Sequence, residues 1–151
     1  MYDLNIFRSL HHVCIVVCDI DKSVGFYESI GVGPWGDYPP MGPYEVDGVD
    51  KEAFLTLKYK YANIDNVQIQ LCEPGVGDTA QKRFLDERGE GVFHLGFSVP
   101  DCDAAEVSAD DAGLAVKMRG RLPDRGGFTY FETSALGAGV TLEVRARGLL
   151  K

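Results

Sequence analysis

His12-Val13-Cys14-Ile15-Val16-Val17-Cys18-Asp19-Ile20-Asp21 returns later in the chain as His94-Leu95-Gly96-Phe97-Ser98-Val99-Pro100-Asp101-Cys102-Asp103. His12/His94, Val17/Val99, Asp19/Asp101 and Asp21/Asp103 are identical, and the alignment runs on without a gap to Gly31/Gly113. Two of the three histidines therefore fall on one repeat position. In the first copy Val13, Ile15 and Val17 alternate with His12, Cys14 and Val16, the period of two of a half-buried strand. Asp21 then reads as a helix N-cap, with Val24, Tyr27 and Ile30 at helical spacing and Gly31 as the stop. In the second copy Phe93, Leu95, Phe97 and Val99 share the face opposite His94, Gly96 and Ser98. A short Ala-rich helix follows from about Asp103 and ends near Gly113.

Beyond each helix the pattern turns strand-like. The stretch Gly33-Pro34-Trp35-Gly36-Asp37-Tyr38-Pro39-Pro40 predicts a loop, because Pro and Gly interrupt both helix and sheet ladders. Strands are predicted at about 53–61 and 67–72 in the first half, and at about 115–118, 128–133 and 140–145 in the second. Between the halves, residues 78–89 predict a linking helix capped by Asp78, docked by Phe84 and Leu85 and ended by Gly89. Each half thus reads β-α-β-β-β. The expected fold is α+β, a single domain spanning 1–151, with module 1 at about 8–74 and module 2 at about 91–147. The two pseudo-symmetric modules are expected to form one curved mixed sheet, helices on one face and a cavity on the other.

Composition narrows the partners. A formal charge of −8 argues against nucleic acid and anionic membranes, both of which recruit basic surfaces. No apolar run reaches the length of a membrane span, and no secretory leader is evident, so a cytoplasmic protein is expected. The four cysteines, Cys14, Cys18, Cys72 and Cys102, are then expected as free thiols, and their spacing matches no structural zinc pattern.

The chemistry concentrates on the last strand of each half. In Val67-Gln68-Ile69-Gln70-Leu71-Cys72 the apolar residues face the helices and Gln68, Gln70 and Cys72 face away. In Val140-Thr141-Leu142-Glu143-Val144-Arg145 the same alternation sets Thr141, Glu143 and Arg145 opposite Val140, Leu142 and Val144. His12, Gln70, His94 and Glu143 consequently all take the polar side. Two imidazoles, an amide oxygen and a carboxylate suit a divalent first-row metal better than calcium, which takes six or more oxygens. His11, the neighbour of His12, is turned to the opposite face. Cys14 and Cys72 lie two residues, about 6.6 Å, from His12 and Gln70 and are expected to line the cavity wall. Thr56, Lys58, Tyr130 and Arg145 are the candidate substrate contacts. Glu52 is a further candidate base, on a strand whose register stays open.

With these residues in hand the chain resembles the vicinal oxygen chelate superfamily, which includes glyoxalase I, methylmalonyl-CoA epimerase, extradiol dioxygenases and the bleomycin and fosfomycin resistance proteins. The resemblance runs through Leu10-His11-His12-Val13-Cys14-Ile15-Val16-Val17 to Phe26-Tyr27-Glu28. It resumes at Phe84-Leu85, Gly89-Glu90-Gly91 and His94-Leu95-Gly96-Phe97, and closes with Gly139-Val140-Thr141-Leu142-Glu143. It implies one divalent ion per chain, with Co, Ni, Mn, Zn, Mg and Fe all open, held by His12, Gln70, His94 and Glu143. That His-Gln-His-Glu order resembles methylmalonyl-CoA epimerase, whereas bacterial glyoxalase I usually places glutamate at the Gln70 position. Glu132-Thr133-Ser134 departs from the His-Pro-Lys-type segment of the epimerases.

The resemblance implies an isomerase or epimerase acting on a small carbonyl or thioester substrate. A proton is removed beside the carbonyl and the resulting enolate is stabilised by the metal, with Glu143 as the catalytic base by analogy with glyoxalase I. With one carboxylate, the divalent ion and its ligands keep a net charge of about +1, which favours an anionic substrate or enolate. A glyoxalase I-like lyase, an extradiol-type dioxygenase and a drug- or metabolite-binding resistance protein are the alternatives. A homodimer is the implied assembly.

Overall fold

The computed structural model describes residues 4–148. In chain order its elements are β1 (Leu10–Val16), α1 (Ile20–Ser29), β2 (Gly36–Asp37), β3 (Glu45–Asp47), α2 (Lys51–Phe54), β4 (Lys58–Ile64), β5 (Val67–Glu73), α3 (Ala80–Arg88), β6 (Gly91–Ser98), α4 (Cys102–Asp111), β7 (Val116–Arg121), β8 (Gly127–Phe131) and β9 (Thr141–Ala146). This is the expected α+β class. Two compact units contain these elements. The first holds His12–Met41 and Val49–Phe93, and so includes α3. The second holds Gly42–Gly48, the chain from His94 onward, and the N-terminal segment through His11. No helix among the described residues is long and apolar enough to cross a membrane.

In the first unit the strand order is β2-β4-β5-β1. β1 and β5 run parallel, with Cys14 opposite Gln70 and Ile15 opposite Leu71, and β4 returns antiparallel with Tyr61 opposite Gln70. Side chains in register share a face. One face carries His12, Cys14, Gln68, Gln70, Cys72, Tyr59 and Tyr61. The other carries Leu71, which is fully buried with Val17 and Ile20 beneath Val24, Tyr27 and Trp35. Burying such aliphatic side chains is worth roughly 1.5–3 kcal/mol each, and this clamps α1 to the sheet.

In the second unit the order is β6-β9-β8-β7-β3. β6 and β9 are parallel, with His94 opposite Thr141 and Gly96 opposite Glu143. The core beneath α4 joins Ile6, Cys102, Ala105, Ala109, Phe131, Val144 and Ala146. Phe7 from the N-terminal segment sets its ring edge-on to Phe97 and Phe131. Arg121 ties α4 to β7, donating to Asp103, to Glu106 and to the carbonyl of Phe128. Gly120 has a packing role. A Cβ there would lie 2.6 Å from the Phe128 ring, so only glycine lets that ring cross the strand.

Several local expectations are corrected. Asp19, not Asp21, caps α1, its carboxylate accepting from the Lys22 N–H, and Asp101 likewise caps α4 ahead of Asp103. Both caps have extended backbone and come two residues earlier in the Asp-x-Asp pattern, which places the oxygen over the first free N–H groups. Thr79, not Asp78, caps α3, while Asp78 pairs with Arg83. Residues 53–61 are not one strand. Asp50 accepts from the Ala53 N–H and starts the short helix α2, so Ala53 and Phe54 are helical and buried, and β4 begins at Lys58. The Gly33–Pro40 loop contributes the two-residue strand β2 against Tyr61 and Lys60. β3 was not expected, and it pairs with β7 through Val46 and Gly120.

Candidate metal centre

In the first unit His12 and Gln70 project from adjacent parallel strands onto the same face and are each 3% exposed. The amide of Gln70 is oriented by a small network. Its Nε2 donates to Tyr38 Oη at 2.5 Å and to Gln68 Oε1 at 2.8 Å. Tyr38 Oη in turn donates to Gln68 Oε1 at 3.2 Å, and Gln68 Nε2 donates to Asn63 Oδ1 at 3.1 Å. Turning the Gln70 amide over would set two oxygens against each other, so the network leaves its Oε1, the better metal donor, directed away from Gln68. Tyr38 packs against Tyr59 and Tyr61 with ring centroids 5.7 and 5.5 Å away. Cys14 and Cys72 are buried on this face and form no disulfide. Burial pushes the Cys72 thiol up to about 12, partly offset by a hydrogen bond with Tyr59.

In the second unit His94 and Glu143 are 1% and 5% exposed, and His94 Nε2 lies 2.9 Å from Glu143 Oε2. A buried carboxylate needs a cation or strong donors to offset lost hydration. At 2.9 Å the two groups are within hydrogen-bond distance, and both are of kinds that ligate metal ions. His12, His94 and Glu143 are all buried, and each offers one atom of a kind that binds metal ions. The donor chemistry therefore fits a divalent first-row metal.

The remaining candidates divide. Tyr130 is in register with Glu143, is buried, and sets its ring 5.0 Å from that of His94. Arg145 follows Glu143 on the same face, opposite Ser98 and Phe128. Lys58 does not share the face of Gln70. The β4 register turns it to the helix side, where it pairs with Glu73 at 3.3 Å. Thr56 lies in the turn after α2 and donates its hydroxyl to the Ala53 carbonyl at 2.7 Å. Glu52 is exposed in the first turn of α2. Neither Tyr38 nor Tyr44 is among the site residues that the sequence singles out. Tyr44 stacks toward Phe128, which continues to Tyr130, so an aromatic row leads to His94. Burial first, and then the charge of Glu143, holds the Tyr44 phenol above its ordinary range. Trp35 packs with Tyr27 beneath it and its indole N–H on the Val32 carbonyl.

Repeated strands that each carry a buried histidine, and closing strands that carry the oxygen donors, define a protein of the superfamily that the sequence resembles. The chain belongs to the Glyoxalase/Bleomycin resistance protein/Dioxygenase superfamily, whose model matches residues 11–131. Among solved structures it is similar to methylmalonyl-CoA epimerase from Mycobacterium tuberculosis, at 22% identity and a TM-score of 0.70, covering 97% of this chain and 92% of that one. It is equally similar to a variant of the Streptomyces coelicolor methylmalonyl-CoA epimerase in complex with 2-nitronate-propionyl-CoA, at 22% identity and a TM-score of 0.71, covering 97% and 99%. At these identities the likeness establishes the fold. Among curated proteins, no sequence matches the chain.

Proposed function

We propose that this protein is a metal-dependent enzyme of the isomerase or epimerase type, which moves a proton at the carbon beside a carbonyl. His12, Gln70, His94 and Glu143 hold one divalent ion per chain. The observation that carries this reading is the buried His94–Glu143 pair at 2.9 Å, a carboxylate and an imidazole held side by side and withdrawn from water. The His-Gln-His-Glu order and the fold shared with structures named as methylmalonyl-CoA epimerases support it. A complex with 2-nitronate-propionyl-CoA among those neighbours favours a small thioester, or a related oxo acid, as substrate.

A divalent ion, when bound, supplies electrostatic stabilisation to a substrate oxygen as negative charge develops on it. The protein's own groups do the rest. His12 and His94 would each offer the ion a ring nitrogen. Gln70, with its amide nitrogen held by Tyr38 and Gln68, presents an oxygen without adding charge. Glu143 takes the proton from the substrate carbon, a positioned base being worth about 10²–10⁴-fold, and delivery of a proton to the opposite face of the planar enolate inverts that carbon. Tyr130 borders the substrate space beside His94, and Arg145 answers substrate negative charge. In this reading the protein acts in the cytoplasm as a homodimer.

The test begins with elemental analysis of purified protein, with and without chelator. One ion per chain is expected, lost on chelation. Solvent deuterium should then enter candidate 2-substituted thioesters at the carbon beside the carbonyl. Protein that binds no divalent ion, or metal-loaded protein that exchanges no such proton across the series, overturns the reading. Bound iron with oxygen consumption would move the assignment to ring cleavage.

A further inference from the structure

Thr141 opens β9 directly opposite His94 on β6. Residues in register project to the same side, and the period of two puts Thr141 on the face of Glu143 as well. It is 1% exposed, and its hydroxyl forms no hydrogen bond with any described residue. Thr133 provides the contrast. Its Oγ1 donates to the Val140 carbonyl at 3.0 Å and accepts from the Leu142 N–H at 2.8 Å, so both capacities serve the fold. Thr141 serves no such purpose. A buried hydroxyl without a partner is destabilising, and valine has the same shape, suits a strand and carries no such penalty.

We infer that the Thr141 hydroxyl is a substrate contact, donating a hydrogen bond to a carbonyl or carboxylate oxygen seated beside His94. This assignment rests on the proposed function and names a specificity-determining residue within it. The charge around the hydroxyl selects the ligand. Glu143 already supplies negative charge and acceptor oxygens, so a substrate oxygen arriving next to it requires a donor. A threonine hydroxyl supplies one without adding a charge to be desolvated. Because the partner arrives only with substrate, the hydroxyl stays buried and unsatisfied until then.

The experiment compares the wild type with Thr141→Val and Thr141→Ser. Each protein is loaded with cobalt(II), and oxalate, an anion with two adjacent oxygens, is titrated while cobalt absorption is followed. Melting temperatures of the metal-free proteins are measured in parallel. All three should take up one cobalt. Thr141→Val should weaken oxalate binding about tenfold, the loss of one hydrogen bond, while Thr141→Ser stays within about twofold. Metal-free Thr141→Val should melt at the wild-type temperature or above it. A lower melting point with unchanged oxalate affinity would assign Thr141 to the fold alone and overturn the inference. Wild type that holds cobalt but ignores oxalate counts against it equally. If the wild type takes up no cobalt, the proposed function fails and this inference falls with it; if only the valine variant matches wild type, Thr141 alone is misassigned.

Discussion

Replacing Tyr38 with Phe removes one oxygen and keeps the ring packed between Tyr59 and Tyr61, so it isolates what the hydroxyl does for Gln70. Two hydrogen bonds are lost, Gln70 Nε2 to Tyr38 Oη and Tyr38 Oη to Gln68 Oε1. At about 1 kcal/mol each, and less for partly hydrated groups, the stability cost is about 1–2 kcal/mol. In a chain of this size that lowers the melting point by roughly 2–8 °C. The larger effect should be on metal affinity. Gln68 Oε1 then holds the amide alone, and the flipped amide, which turns its NH₂ toward the ion, becomes accessible. Loss of a group that orients a metal ligand weakens metal binding about 10–100-fold. Calorimetric titration of chelator-treated protein with cobalt or zinc reads this directly, with Gln70→Ala as the reference for complete loss of the ligand. Wild-type metal affinity in Tyr38→Phe would show that Gln70 needs no orientation from Tyr38, or that Gln70 does not bind the ion.

Glu143→Ala should retain its circular dichroism while losing its ion and its proton exchange, metal affinity falling by more than about a hundredfold; full activity in that variant would exclude Glu143 as ligand and base. Phe131→Ala should destabilise the second unit by about 3–5 kcal/mol, seen as an earlier urea midpoint, because the ring is fully buried in the core beneath α4. Cys102, like Cys72, shapes behaviour at high pH. Burial pushes its thiol up to about 12 despite Arg121 nearby, so above about pH 9 the unfolded chain loses this proton while the folded chain keeps it. The stability contributed by Cys102 is therefore intact at neutral pH and declines by about 1.4 kcal/mol per pH unit between roughly 9 and 12. Cys102→Ala should make that part of a melting-temperature profile shallower, leaving the share of Cys72, and parallel profiles for the two proteins would refute the assignment.

The half-buried strands were open to sequence reasoning because alternation over six or seven residues has few competing explanations. The faces of β1, β5 and β9 follow from it, and with them the placement of His12, Gln70 and Glu143. Helix starts were misplaced where two equivalent caps stand close together. Asp19 and Asp21 both suit an N-cap, and only backbone geometry chooses between them. The segment from Ala53 failed for another reason. Asp50 starts a single helical turn too short to show a period, which moved the beginning of β4 and hid the side on which Lys58 emerges. Three-residue β3 carries no pattern at all. Its existence depends on Val46 meeting Gly120, a pairing between distant segments. Tyr38 was missed because an aromatic in a Gly/Pro-rich loop ordinarily packs, and its hydroxyl gains meaning only once Gln70 is in reach.

The second unit concentrates three unfavourable features on one patch. Glu143 is a nearly buried carboxylate, His94 is a buried imidazole beside it, and Thr141 adds a buried hydroxyl that no described residue satisfies. Each has an apolar alternative of similar volume that would remove its desolvation cost, so packing gives no reason for any of them. Elsewhere the same unit resolves its polar groups thoroughly, with Arg121 shared among Asp103, Glu106 and a carbonyl, and with Thr133 using its hydroxyl in both directions. The buried polar groups are thus concentrated on the strands on which the repeat places its histidine and its closing glutamate. Stability is given up at functional sites when the groups concerned are completed by something the folded chain does not contain. On the proposed function, an ion would complete the imidazole and the carboxylate, and a substrate oxygen would complete the hydroxyl.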